Sequence, residues 1–344
     1  MTGIPDQVPK THPLDVALDR SIRGDLDGAE ELLRSLPQDD LRVRFNLGWH
    51  ECRHGNWKLG HELMDSGRFL NVYGSPPLLG GGKRIWAGED LRGKSVLLRL
   101  EGGIGDEIIQ SRWAVYFSPE TTVVMSCHPS LIPVFKERLE YGYQPELYVT
   151  NDGAPHVHCD YWIPAMSGPR WFPVERFPYL KRNFEEHRGI RIGLRWSGNP
   201  QFEHHQHRSI PAGLMLSLAE CFPNFEFASF QRDHDCVPLP KAVRDRRPDM
   251  VTWADTFREL ANLDLLITSC TSVAHAAAAM GVRTWVIVPT LPYTVWSMGG
   301  DRTPWYTSAR IFRQKAFGDW ETVMAEVGDA LEEFERTAVR SGAI

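Results

Sequence analysis

Neither a C-x-x-C pair nor a surplus of basic charge marks this chain. Its six cysteines (Cys52, Cys127, Cys159, Cys221, Cys236 and Cys270) are scattered. That spacing argues against a zinc ribbon or a dithiol redox motif and for buried, reduced thiols. Lysine and arginine total 38 against 44 acidic residues, a net charge of −6. A nucleic-acid coat or a membrane-surface binder needs the opposite balance, although a local basic groove stays compatible with it. The first fifteen residues lack the apolar stretch of a secretory leader, so a cytoplasmic location is expected. The most apolar segment, Leu263 to Val282, is broken by Asp264, Thr268, Ser269, Thr271, Ser272 and His275. These groups are costly in lipid, and the segment reads as a strand, a turn and a helix rather than a membrane span. What remains is the composition of a globular protein, 42% hydrophobic and 24% charged over 344 residues, enough chain for two or three domains.

Along the chain, residues 14 to 66 read as helical and repeat. Arg23-Gly24-Asp25-Leu26 overlays His54-Gly55-Asn56-Trp57 at a period of about 31 residues, slightly short of a tetratricopeptide repeat. In both copies a glycine closes one helix and a large apolar residue starts the next. Two units are too few to stand alone, so the segment should lean on the α/β part of the chain, and no chemistry is expected of it. Residues 74 to 94 are rich in Gly and Pro and read as a linker. Strands and helices then alternate: strands at 95–100, 121–126 and 146–150, with helices at 107–116 and 130–141 between them. After a Pro-punctuated stretch (164–180) comes a second unit, with strands at 190–196, 225–230, 263–268 and 284–288. Its helices fall at 212–222, 254–262 and 272–280, and a long acidic helix ends the chain near 319–338. The expected division is a helical segment (1–73), two doubly wound α/β halves (74–180 and 181–318) and a C-terminal helix (319–344). Two such halves place a cleft where strand C-termini and helix N-termini converge.

Two turns carry candidate chemistry. Glu101-Gly-Gly-Ile-Gly-Asp106 follows a strand and opens a helix, so Gly103 and Gly105 would let a ligand approach backbone amides closely. Asp106 suits either a capping carboxylate or a catalytic one. The second turn, Thr268-Ser-Cys-Thr-Ser272, runs into an alanine-rich helix. Thr271 and Ser272 suit a diphosphate resting on a helix start, or a plain N-cap. His275, one turn inside, reads as a ligand contact or a satisfied core histidine. His187, His204, His205 and His207 surround Arg208. His204 and His207 have a metal-like spacing that no further residue completes. A guanidinium gripping phosphate is the more economical use of this stretch.

Several blocks recur together: Trp86-x-Gly-Glu-Asp-Leu-x-Gly-Lys94 before the glycine turn, Phe177-Pro-Tyr-Leu180, and Ile192-Gly-Leu-Arg-Trp-Ser-Gly-Asn-Pro200. Arg208-Ser-Ile-Pro211, Ala254-Asp-Thr256, Leu260 to Thr268, and Thr271-Ser-Val-Ala-His275 complete them. With the helical repeats, they resemble the bacterial tetratricopeptide-repeat proteins that carry a GT-B glycosyltransferase module. These are related to the heptosyltransferases of glycosyltransferase family 9 and, more distantly, to O-linked N-acetylglucosamine transferases. The resemblance implies an α/β fold of two Rossmann-like domains preceded by a short helical segment. It implies a metal-independent enzyme without a cofactor, moving sugar from a nucleoside-diphosphate sugar to a glycan, protein or other hydroxyl-bearing acceptor. Asp106 matches the family's general base and Arg208 a donor-diphosphate contact. Thr271, Ser272 and His275 match the turn beneath the donor phosphates, and Gln231 a position near the nucleotide base. Cys270 departs from the pattern: the family usually has an aspartate there that hydrogen-bonds the donor sugar, and a thiol is a poor acceptor. Two alternatives stand beside this reading, a non-catalytic scaffold with a degenerate donor site and a transferase acting on modified DNA bases.

Overall fold

The computed structural model describes residues 12–76, 84–139, 145–175, 178–201, 205–232 and 234–341. Four helices come first, α1 (Pro13–Arg23), α2 (Leu26–Ser35), α3 (Leu41–Arg53) and α4 (Trp57–Met64). They pack as two hairpins, α1 on α2 and α3 on α4. The same device closes the first helix of each pair. Gly24 and Gly55 take φ values of 94° and 82°, left-handed backbone that a side chain would strain. Asp25 then caps α2, accepting from the Gly28 N–H at 3.1 Å. Asn56 opens α4 differently, its amide turned to Glu51 Oε2 at 2.8 Å.

Two parallel sheets come next. The first contains β1 (Arg84–Ile85), β2 (Ser95–Arg99), β3 (Thr122–Cys127), β4 (Leu147–Thr150) and β5 (Tyr161–Pro164), in the order β1-β5-β2-β3-β4. Its helices are α5 (Ile104–Gln110) and α6 (Ile132–Arg138). The second holds β6 (Arg191–Arg195), β7 (Glu226–Ser229), β8 (Val243–Asp245), β9 (Leu265–Ser269), β10 (Thr284–Val288) and β11 (Ala309–Arg313), in the order β11-β10-β9-β6-β7-β8. Its helices are α7 (His205–Arg208), α8 (Ala212–Cys221), α9 (Trp253–Ala261), α10 (Ser272–Ala279) and α11 (Trp320–Ser341). Central strands are buried throughout; Val96, Leu97, Leu98 and, in the second sheet, Leu265, Leu266 and Ile267 are all fully enclosed, as parallel strands covered on both faces must be.

Several boundaries differ from the sequence expectation. The stretch 74–94 is more than a linker, because Arg84 and Ile85 pair in parallel with Tyr161 and Trp162 as an edge strand. The helix expected over 107–116 begins at Ile104 and tightens to 3₁₀ geometry over Ser111–Tyr116. There the Ser111 hydroxyl and Arg112 Nε take the Ile108 and Ile109 carbonyls at 2.8 and 3.0 Å, which competes with a regular α ladder. Leu263 to Val282 resolves into β9, a turn and α10, and among the described residues no helix is long and apolar enough to cross a membrane.

The two halves share apolar packing. One cluster of buried side chains joins Val96, Leu98 and Ile108 of the first half to Val273, Ala276 and Val286 of the second. Helix α5 packs on α10 and α6 on α9. The alanines of α10 permit that close approach. A second cluster lies on the far face of the second sheet, where Val323, Val327 and Leu331 of α11 meet Trp285 and Phe312.

Candidate functional site

The C-terminal edge of β2 delivers the first turn. Gly102 adopts φ 85°, and a Cβ there would lie 2.9 Å from Asp106 Oδ2; the loop folds back over the carboxylate. Asp106 sits in the first turn of α5, and its Oδ2 accepts from the Gly103 N–H at 2.9 Å. It therefore caps the helix. Tyr293 lines the same small cavity as the carboxyl, and the positive charge of Arg208 acts on it. Burial is the largest influence and holds the Asp106 pKa above the ordinary aspartate value, while Tyr293, the backbone amides and Arg208 pull the other way. Capping and proton abstraction are compatible, since a carboxylate has two oxygens and a raised pKa makes it a stronger base.

Glu101, at the start of this turn, anchors the helical segment. Its carboxylate accepts from Arg68 at 2.7 and 3.0 Å, from the Ser75 N–H at 2.6 Å and from the Met166 N–H at 3.1 Å. Both the Glu101 and the Arg68 side chain are buried, so the pair fixes the glycine turn against the segment ahead of it.

The second turn leaves β9. Thr271 has extended backbone (φ −135°, ψ 171°) and precedes α10, but its hydroxyl caps no helical amide and lies 3.4 Å from the Thr268 hydroxyl. Ser272 opens α10 and meets the first turn directly. A Cβ on Gly105 would lie 3.2 Å from Ser272 Cα and 3.3 Å from His275 Cδ2. His275 is buried, stacked on Trp296 with ring centroids 5.1 Å apart, and its Nδ1 lies 3.3 Å from the Tyr306 hydroxyl. Burial, with Arg112 and Arg208 nearby, lowers its pKa to about 3, so the imidazole is neutral and packed as core. Cys270 is buried between the turns, its thiol pushed up to about 11 by burial despite the neighbouring Arg208.

Arg208 closes α7 and donates to the Cys270 carbonyl at 3.0 Å. A Cβ on Gly198 would lie 2.8 Å from its NH2 group, so this glycine makes room for the guanidinium. Gln231, expected near a nucleotide base, makes several hydrogen bonds within the protein. Its Oε1 accepts from the Trp196 and Ser197 N–H groups at 3.2 and 3.1 Å. Its Nε2 donates to Ser197 Oγ at 2.7 Å and to the His234 carbonyl. It braces the loop after β6. The histidines do not converge. His187 pairs with Asp264 at 2.9 Å, His205 lies 3.3 Å from Asp235, and His207 meets the Phe317 ring. His204 and Phe177 lie outside the described residues. Among the described residues no group of three or more His, Cys, Asp or Glu side chains could hold a metal.

Sequence reasoning missed the contribution of the helical segment. A cavity of about 20 Å³ adjoins Asp106, and His61, Tyr73, Tyr293 and Trp305 are among its lining. His61 Nδ1 lies 2.8 Å from the Tyr73 hydroxyl and 2.9 Å from the Met166 carbonyl. Nothing in the local pattern of a helical repeat signals this, because the side chains meet Asp106 only through long-range packing.

No protein-family model matches the chain. The glycosyl transferase family 9 structure from Veillonella parvula DSM 2008 superposes with a TM-score of 0.51 at 10% identity, covering 71% of this chain and 98% of that one. The E. coli ADP-heptose lps heptosyltransferase II gives 0.47 at 9% identity, over 70% of this chain and 99% of that one. The first likeness is one of fold: parallel α/β halves of Rossmann type. Among curated proteins, Protein FlbA of Caulobacter vibrioides is 22% identical over 293 residues, covering 72% of this chain and 48% of that protein. The chain thus spans about half the length of that relative.

Proposed function

We propose that this chain transfers a sugar from a nucleoside diphosphate to an acceptor hydroxyl or amide, in a GT-B body flanked by two tetratricopeptide-like hairpins. The observation that carries this reading is the meeting of two strand-to-helix turns, one from each sheet. Gly105 lies against Ser272, with Asp106 and Arg208 facing one another beside them. Parallel α/β proteins bind ligands outside the carboxyl ends of their strands. Asp106 takes the acceptor proton as general base, its pKa raised by burial toward the working range. Arg208 and the amides at Thr271 and Ser272 stabilise the charge that builds on the departing diphosphate, without a metal. Gly103 leaves its amide free to hold Oδ2, and Gly105 lets the first turn press against Ser272. The test is turnover of activated sugars by the full chain and by Asp106→Asn. Transfer lost in the variant with nucleotide affinity kept is the expected result. A fully active variant would return Asp106 to capping alone.

One set of observations favours a second reading. Cys270 is buried with a neutral thiol, and the Gln231 amide is spent within the protein. A non-catalytic scaffold built on the same fold would retain both features and bind no nucleotide.

A further inference from the structure

We propose that the cavity beside Asp106 is a site for a single water, which accepts from the Trp305 indole N–H and donates to His61 Nε2 and to the Asp106 carboxylate. His61 and Trp305 are thereby positioning residues for the base. The inference rests on the reading of Asp106 as the base and deepens it. Three parts of the molecule meet at this cavity: His61 comes from α4, Asp106 from α5 and Trp305 from the loop between β10 and β11. Two nitrogens of these lining side chains, His61 Nε2 and Trp305 Nε1, are buried without a hydrogen-bond partner among the described residues. The two residues are only 6% and 2% exposed, and a polar group left unpaired at such depth is costly. The cavity, about 20 Å³, has room for about one water.

Bonds on the far side of the imidazole assign its proton. The Met166 carbonyl can only accept, and the Tyr73 hydroxyl donates to it at 2.8 Å. That uses the one proton Tyr73 has. His61 Nδ1 lies 2.8 Å from the same hydroxyl and 2.9 Å from the same carbonyl, so Nδ1 carries the ring proton and donates. In a neutral imidazole this leaves Nε2 a bare acceptor. Burial lowers the His61 pKa to about 4, which keeps the ring neutral near pH 7. The indole N–H of Trp305 can only donate. One water satisfies both, and its second proton goes to the carboxylate that lines the same cavity. Three partners is the usual complement of a buried water. Gln110 does not compete for it, because its amide oxygen and nitrogen each bond to the Glu101 backbone at 2.8 Å. Trp305 is held from behind: its carbonyl accepts from the Arg112 guanidinium at 3.2 Å, and its ring stands edge-on to Trp57 at 5.4 Å.

The experiment is a high-resolution crystal structure of the full chain, read together with nitrogen NMR of the chain labelled with [¹⁵N]histidine. One water within hydrogen-bonding distance of Trp305 Nε1, His61 Nε2 and the Asp106 carboxyl is expected, with the His61 proton on Nδ1. A dry cavity, a water that does not reach the Asp106 carboxyl, or a His61 protonated on Nε2 would overturn the proposal. Kinetics then read the positioning role. His61→Asn keeps an amide N–H where Nδ1 stood and removes the Nε2 acceptor; it should lower kcat about tenfold with KM little changed. His61→Gln carries its amide to the Nε2 position and should recover most of that loss. Equal kcat in the two variants, or a change confined to the thermal midpoint, would overturn the positioning role. The water and the ring proton are read whether or not sugar is transferred, so failure of the glycosyltransferase reading would show separately, as absent turnover in the unaltered chain.

Discussion

Replacing Gly105 with alanine places a methyl group where the two halves meet. It would stand 3.2 Å from Ser272 Cα and 3.3 Å from His275 Cδ2. Neither neighbour yields easily: the first is backbone at a helix start, and the second is an imidazole stacked on Trp296 and backed by Tyr306. Two effects oppose each other. Alanine is a better helix former than glycine by about 0.5–1 kcal/mol. Overpacking a tight contact costs about 1–3 kcal/mol. The balance is a net loss of roughly 1–2 kcal/mol, a drop of a few degrees in the thermal midpoint. Gly213→Ala is the control, since it lies in α8 with open space around the added methyl and should hold or raise the midpoint. Both are read by circular dichroism melts at neutral pH. If Gly105→Ala stabilises as much as Gly213→Ala, the two turns do not press together and the reasoning about the site fails.

Other perturbations probe neighbouring parts of the molecule. Arg68→Met leaves the Glu101 carboxylate buried without its guanidinium, a loss of about 3–5 kcal/mol; urea denaturation showing under about 1 kcal/mol would mean the pair is solvated. Burial raises the Asp106 pKa, so the folded state holds that proton more tightly than the unfolded chain, and ionisation costs stability as pH rises above the ordinary aspartate value. Asp106→Asn should therefore melt higher than the parent near neutral pH and lose that advantage as pH falls to about 3; equal melting throughout would remove the burial cost. The Cys270 thiol, pushed up to about 11, should resist iodoacetamide under conditions that alkylate the exposed Cys221 and Cys236. Rapid labelling of Cys270 by mass spectrometry would show an open site.

The α/β character was legible because the inner strands are continuous apolar runs bounded by turn residues. Leu263 to Thr268 and Thr284 to Val288 are clear examples. The strands that escaped notice lack that signature. Tyr161–Pro164 ends on a proline, Arg84–Ile85 is two exposed residues, Val243–Asp245 is three residues of which two are charged, and Ala309–Arg313 carries two arginines. The glycine turn and Asp106 stood out by position. Trp305, His61 and Glu101 did not, because their roles depend on partners far away in sequence. Gln231, which the resemblance places near a nucleotide base, also makes local hydrogen bonds to the loop after β6 that no sequence pattern signals.

If the two facing turns accept a nucleoside diphosphate, binding must stabilise the fold. The measurement is a thermal-shift series with UDP, GDP, ADP, CDP and dTDP on the full chain and on Arg208→Ala. A ligand at about 100 times its dissociation constant adds roughly 2.7 kcal/mol of stability. A rise of a few degrees is expected with one nucleotide, reduced in Arg208→Ala by the loss of a charged hydrogen bond of about 1.5–3 kcal/mol. No shift with any nucleotide would contradict the glycosyltransferase reading and leave the scaffold reading standing.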